Sequence, residues 1–429
     1  MFLRSLRPSK ILAALAVAML FAPASVLAQG IAIAGVGAVN RSMGGAAVAA
    51  PIDAAGTVHW NPAGMSALEH SEASLNLELL KPDTTLSSSV DALGLSGSTE
   101  SDSSAAPIAN GALVHHVKDS NFTYGVGFFT IAGYSSDYQS SATNPVLTPQ
   151  PPTGSGLGHV MGRAEILQFA PSAAYRVTDR FSVGIAPTLT MLRLEAEPLF
   201  IASPNANGYA TATSSDWVYG GGFQVGALYR AQNGFNFGAS LKSPQWMDDI
   251  EFTSSNELGL SRRDNFEMDY PMIASIGTAY TGLDRFVFAV DVRYFDYGNT
   301  AGFEDSGFSE TGAARGLGWD SVFAVAAGVQ YSVTDRISLR VGHVYNQNPI
   351  DDDVAMFNVA SPLVFEHVLG IGASFELAKN MLVSLTYLHG FENSVEGPIV
   401  QPGIGAIPGT SVKDEAEAEA IVAGLSVRY

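Results

Sequence analysis

The stretch Arg336-Ile337-Ser338-Leu339-Arg340-Val341-Gly342-His343-Val344-Tyr345 decides how the chain is read. Its odd positions, Ile337, Leu339, Val341, His343 and Tyr345, carry apolar or ring-bearing side chains, while Arg336, Ser338, Arg340 and Gly342 fall on even ones. A period of two places these sets on opposite faces of a β-strand. The pattern recurs in 381–391, where Met381, Val383, Leu385 and Tyr387 alternate with Leu382, Ser384, Thr386 and Leu388. In 285–296, Phe286, Phe288, Val290, Val292 and Tyr294 face away from Asp291 and Arg293. Aromatics at both ends of so many apolar faces suit the interfacial girdles of a membrane barrel better than a soluble sandwich.

Fourteen such segments follow one another, near 71–81, 107–118, 121–131, 163–177, 180–195, 216–230, 234–243, 268–281, 284–297, 319–332, 336–347, 364–377, 380–392 and 418–429. The connections alternate in length. Six are tight turns, such as Asp119-Ser120, Gly282-Leu283 and Ala378-Lys379, and seven are long, such as 132–162 and 244–267. Residues 175–180 and 331–336 share a Tyr-x-Val-Thr-Asp-Arg turn, read as recurring turn chemistry rather than duplication. An even strand number with short turns at one end and long loops at the other predicts an all-β fold, an antiparallel transmembrane barrel closed on itself. The last segment ends on Tyr429, and a terminal aromatic of this kind resembles the signal read by the outer-membrane assembly machinery.

Bulk properties agree. Of 429 residues, 47% are hydrophobic, with 44 Gly, 23 Phe and 15 Tyr, yet no stretch after the N-terminus offers the ~18 apolar residues of a spanning helix. The chain lacks cysteine, so no disulfide framework is expected. Arg4, Arg7 and Lys10 precede the 12-residue apolar run Ile11–Ala22, and Val26-Leu27-Ala28 supplies small residues at cleavage spacing. Residues 1–28 are therefore expected to be a cleaved signal peptide. Its loss takes away three basic and no acidic side chains and moves the net charge from −19 to −22, which argues against nucleic-acid partners.

Residues 29–70 do not alternate. They are small, rich in Gly and Ala and weakly charged, with a turn signal at Asn61-Pro62. A compact segment ahead of a large barrel (71–429) is a candidate plug for the lumen. Gly44, Gly45 and Ala46, followed by the run from Asp53 through Trp60, Asn61, Pro62 and Ala63 to Met65, resemble the N-terminal hatch of the FadL family. Trp319-Asp320 and the run from Leu339 through Gly342, Tyr345 and Asn348 to Pro349 resemble a later hairpin of that family.

The resemblance implies a monomeric fourteen-stranded barrel in the bacterial outer membrane, in contact with its lipid and lipopolysaccharide, and passive uptake of hydrophobic small molecules. Long-chain fatty acids are the first expectation, aromatic hydrocarbons such as toluene the alternative, and a general porin a further one. It also implies capture among the external loops, a pocket beside the hatch, and lateral exit at the third strand. There Gly125 and Gly127 would weaken the ladder. A fatty-acid carboxylate calls for a cation in an apolar slot, and alternation turns Lys242, Arg293 and Arg340 toward the lumen.

Other signals carry less. The glycines of 154–158 lack the following Lys-Ser/Thr of a phosphate loop. His115 and His116 point to opposite strand faces and cannot share a metal. Asp351, Asp352 and Asp353 read as a solvated loop tip with some capacity for a divalent cation. No nucleophile elbow or catalytic triad spacing is present, so no enzyme, cofactor or metal centre is expected.

Overall fold

A transmembrane strand must pair every backbone N–H and C=O within the protein, and the computed structural model meets this demand by closure. It describes residues 29–211, 216–255 and 258–429, so the expected signal peptide lies outside the described residues. Fourteen strands form the wall: β1 (Glu72–Val90), β2 (Ala106–His116), β3 (Phe122–Tyr138), β4 (Val160–Arg176), β5 (Phe181–Glu197), β6 (Val218–Arg230) and β7 (Phe235–Lys242), then β8 (Ile273–Tyr280), β9 (Phe286–Phe295), β10 (Val322–Thr334), β11 (Ile337–Asn346), β12 (His367–Ala378), β13 (Met381–Gly397) and β14 (Thr410–Arg428). Each is antiparallel to its neighbours, and β14 returns to β1 from Glu72–Arg428 to Val90–Thr410, which closes the barrel. No described helix is long and apolar enough to cross a membrane.

The fourteen expected strands are all present, but several run further than the alternation suggested. β1 extends to Val90 instead of 81, β3 to Tyr138 instead of 131, and β14 begins at Thr410 instead of 418. The outward positions of these extensions are polar, with Lys81 and Asp83 opposite Glu419 and Glu417. Hydrophobic alternation ends where lipid ends, whereas the hydrogen-bonded ladder continues into the aqueous loops. Conversely, β8 is shorter than the 268–281 expected, and short hairpins (Ile250–Ser255 with Ser261–Phe266, and Val400–Gln401 with Gly405–Ala406) decorate two long loops.

The outward faces are apolar, as at Leu75, Leu77 and Leu79, which remain more than half exposed. Cross-strand aromatic pairs mark the end with the tight turns: Phe122–Tyr175 at 4.8 Å, Phe235–Tyr280 at 4.7 Å and Phe286–Tyr331 at 4.6 Å between ring centroids. Tyr294–Phe323, at 5.0 Å, marks the other end. This is the double girdle of a membrane barrel.

Residues 30–68 fill the lumen toward the tight-turn end. Two short helices, α1 (Gly37–Ser42) and α2 (Ala54–Trp60), and the 3-10 turn Pro62–Ala67 are almost entirely buried. Gly44 and Gly45 adopt φ of +65° and +84°, which L side chains rarely do. A Cβ on Gly44 would lie 2.6 Å from the His343 carbonyl oxygen of β11, so the glycines let the segment press against the wall. Asn61 ends α2 and spans the gap to the barrel: its amide donates to Val48 O at 2.7 Å and Ala227 O at 3.0 Å, and its Oδ1 accepts from Ala63 N at 3.1 Å. Pro62, which has no N–H, opens the next turn without loss.

The main electrostatic tie comes from β9. The fully buried Arg293 and Asp291 pair at 3.0 Å. Arg293 also donates to Gly45 O at 2.5 Å and lies 3.4 Å over the Trp60 ring, while the Asp291 carboxylate accepts from Ala47 N at 2.8 Å and Val48 N at 3.0 Å. Asp53 caps α2 by accepting from Gly56 N at 3.4 Å, and Ala54 N donates to Glu72 Oε1 at 3.1 Å. Burial, and then the neighbouring Glu72 charge, push the Asp53 carboxyl up to about 7.

Two outcomes are expected. Asp291→Ala leaves Arg293 buried without its counter-ion and should cost about 3–5 kcal/mol, measured as a lowered urea midpoint of the barrel; a loss below ~1 kcal/mol would mean the pair does not hold the segment. For Asp53, the native carboxyl titrates above its unfolded value of about 3.9, so its contribution is complete at low pH and fades as pH rises toward 7. The lumenal segment should therefore resist protease better at pH 5 than at pH 8, and Asp53→Asn should flatten that difference.

Candidate functional site

The wall parts where β2 and β3 diverge. β2 and β3 pair only from Gly111–Phe128 to His116–Thr123. Beyond that point β2 stays with β1, through Asn76–Asn110 to Leu80–Ala106, whereas β3 follows β4 through Ala132–Ile166 to Tyr138–Val160. A bulge between Thr130 and Ala132 bends β3 away. The backbone groups freed there find other partners. Ile33 N donates to Ile131 O at 3.0 Å, Ala32 bridges Ala132, and Thr130 N donates to Asn110 Oδ1 at 3.0 Å.

A cavity of about 730 Å³ runs through this break. Its inner wall includes Ile31, Ile33, Leu80 and Leu388, and its outer part includes Leu167 and Arg163, which lie on the outward face of β4. One space thus touches both faces of the wall. Two cations reach it, and both are paired: Arg41 with Glu78, its Nε donating at 3.2 Å, and Arg163 with Glu165 at 2.5 Å. An apolar tube with a polar mouth can hold a hydrophobic molecule and pass it sideways; nothing in it resembles machinery for bond cleavage.

The three lumenal cations singled out in the sequence do face inward, yet none lines this cavity. Arg293 holds the lumenal segment as described above. Lys242 Nζ donates to Gln168 Oε1 at 3.1 Å, and Arg340 donates to Gln330 Oε1 at 2.6 Å and Ser374 Oγ at 2.7 Å. Gly125 and Gly127 lie in the paired part of β3, opposite Val114 and Ala112, just below the break. A Cβ on Gly125 would collide with Met65 Sδ, and one on Gly127 with the Phe129 ring, so the glycines make room for the 3-10 turn Pro62–Ala67 and for the inward Phe129 ring. Tyr429 is exposed at the rim, its N–H donating to Ser71 O at 2.9 Å and its ring stacked on His115 at 6.0 Å. Sequence reasoning did not single out Asn110, Thr130, Ile33 or Arg41 as site residues. Their importance comes from contacts between distant strands, and only the break after Phe128 reveals it.

Comparison with known proteins converges on one family. The model described as "Outer membrane protein transport protein (OMPP1/FadL/TodX)" matches residues 15–429. Among solved structures, a Pseudomonas aeruginosa FadL homologue superposes with a TM-score of 0.71 at 16% identity, covering 93% of this chain and 99% of that one. The P. putida toluene transporter TodX gives 0.67 at 15% identity, with 92% and 99% covered. The Ralstonia pickettii toluene transporter TbuX gives 0.67 at 17%, with the same coverage. No curated protein matches the chain. At these identities the structures testify to the fold, and the family model to membership. The chain belongs to the OMPP1/FadL/TodX family and is an outer-membrane transporter of hydrophobic compounds, not an enzyme.

Proposed function

We propose that the protein takes up hydrophobic small molecules passively, long-chain fatty acids foremost, and releases them sideways between β2 and β3. The supporting observation is the cavity that touches both faces of the wall at the break in the ladder. Its volume falls within the ~300–1,000 Å³ of small-molecule sites, ample for an extended acyl chain. The ligand enters among the outer loops, moves along Ile31 and Ile33 beside the lumenal segment, and leaves past Leu167 into lipid. A carboxylate would compete with Glu78 for Arg41 or with Glu165 for Arg163, the two cations that reach the cavity. The ligand gradient is the driving force. The second reading, uptake of aromatic hydrocarbons, draws support from two similar structures being toluene transporters. An open porin is not favoured by a lumen packed with residues 30–68.

Filling the mouth with Ala106→Trp and Ser135→Trp should lower oleate uptake in cells roughly tenfold, equivalent to ~1.4 kcal/mol, while the barrel keeps its heat-modifiable gel mobility. Unchanged uptake would defeat the lateral route. Toluene uptake measured in the same strains separates the two ligand readings. Deleting residues 29–68 should leave a folded barrel that conducts ions in planar bilayers; a closed, folded deletion protein would rule out the segment as the plug.

A further inference from the structure

The loop between β11 and β12 (347–366) crosses the outer end of the barrel. Its 3-10 turn Asp352–Phe357 buries Val354, Ala355, Met356 and Phe357, and Phe357 packs on Phe308 at 5.1 Å. Beside it lies a second cavity, of about 550 Å³, lined by Asn348, Asp351, Asp352, Asp353, Glu366 and Asn393. No basic side chain lines it. Three of its carboxylates are consecutive and exposed. The fourth is not: Glu366 is only 4% exposed, and its Oε1 has no hydrogen-bond partner. A buried carboxylate oxygen without a donor is costly, and nearby like charges add to the cost.

We propose that this cavity binds a divalent cation, calcium by preference, between the Asp351–Asp353 run and Glu366, tying the loop to the root of β12 and to β13. The available donors are carboxylate and carboxamide oxygens, the hard ligands that calcium takes in irregular, six- to eight-coordinate geometry; magnesium demands a near-ideal octahedron that flexible loop aspartates supply poorly. As the side chains stand, no three described carboxylates or imidazoles converge on one point. The exposed aspartates therefore close on the ion as it binds, with Glu366 as the fixed member. A cation there neutralises the cluster, gives Glu366 Oε1 a partner and stiffens the cover over the outer end of the lumen.

Calcium chloride titrated into the full-length barrel, refolded in detergent without lipopolysaccharide, tests this by calorimetry and by thermal unfolding. We expect one ion per barrel with Kd of about 10⁻⁴–10⁻³ M and a higher unfolding temperature, reversed by chelator. Glu366→Gln, and separately Asp351→Asn with Asp353→Asn, should each weaken binding roughly tenfold or more. The aspartate pair is exposed, so that variant should fold even if Glu366→Gln does not. Absence of calcium binding to the wild-type barrel would overturn the proposal, as would undiminished binding in the folded variants. Neither outcome bears on hydrophobic uptake, which the mouth variants test.

Discussion

Everything in this structure depends on satisfying backbone hydrogen bonds in a medium that supplies none. Closure of β14 on β1 meets the requirement for nearly the whole wall. At the one place where β2 and β3 part, the interior of the protein takes over what the ladder gives up. The side chain of Asn110 accepts from Thr130 N, and Ile33 of the lumenal segment donates to Ile131 O. A side opening in a membrane barrel is costly only if its edges are bare, and here they are covered from within.

That arrangement links the plug to the opening. The same segment that fills the lumen supplies a strand-like contact at the break, so displacement of residues 31–33 would alter the edge of the opening as well as the bore. Anchoring farther along is much stronger. Arg293, Asp291 and Trp60 form a buried ionic and stacked cluster, and Asn61 is bonded on three sides.

The lumen's charges are used in the same economical way. A barrel interior is polar, but a charge buried there must meet an opposite charge or several dipoles. Arg293 meets that condition through Asp291 and Gly45 O, and Arg340 through Gln330 and Ser374, whereas Lys242 has the single neutral acceptor Gln168 Oε1. Arg41 and Arg163 also have partners, yet they border the cavity. Position relative to the cavity, rather than inward orientation alone, separates these two arginines from the three cations that line no part of it.

Much was legible in the residues. Period-two alternation, tight turns such as Asp119-Ser120, and aromatics near the ends of apolar faces are local properties, and they determined the all-β class and the fourteen strands. The lack of alternation in 29–70, with Gly44, Gly45 and Asn61-Pro62, marked the segment that the lumen contains. Only the tertiary structure decided how far β1, β3 and β14 rise beyond the lipid, because polar extensions show no hydrophobic period. It alone decided that β3 leaves β2 after Phe128, and which inward cations border the cavity. Those outcomes depend on partners far apart in sequence, such as Asn110 with Thr130, 20 residues apart, and Ala34 with Arg293, 259 apart. Alternation tells which face a side chain takes, but which distant groups meet it there is settled by closure and packing.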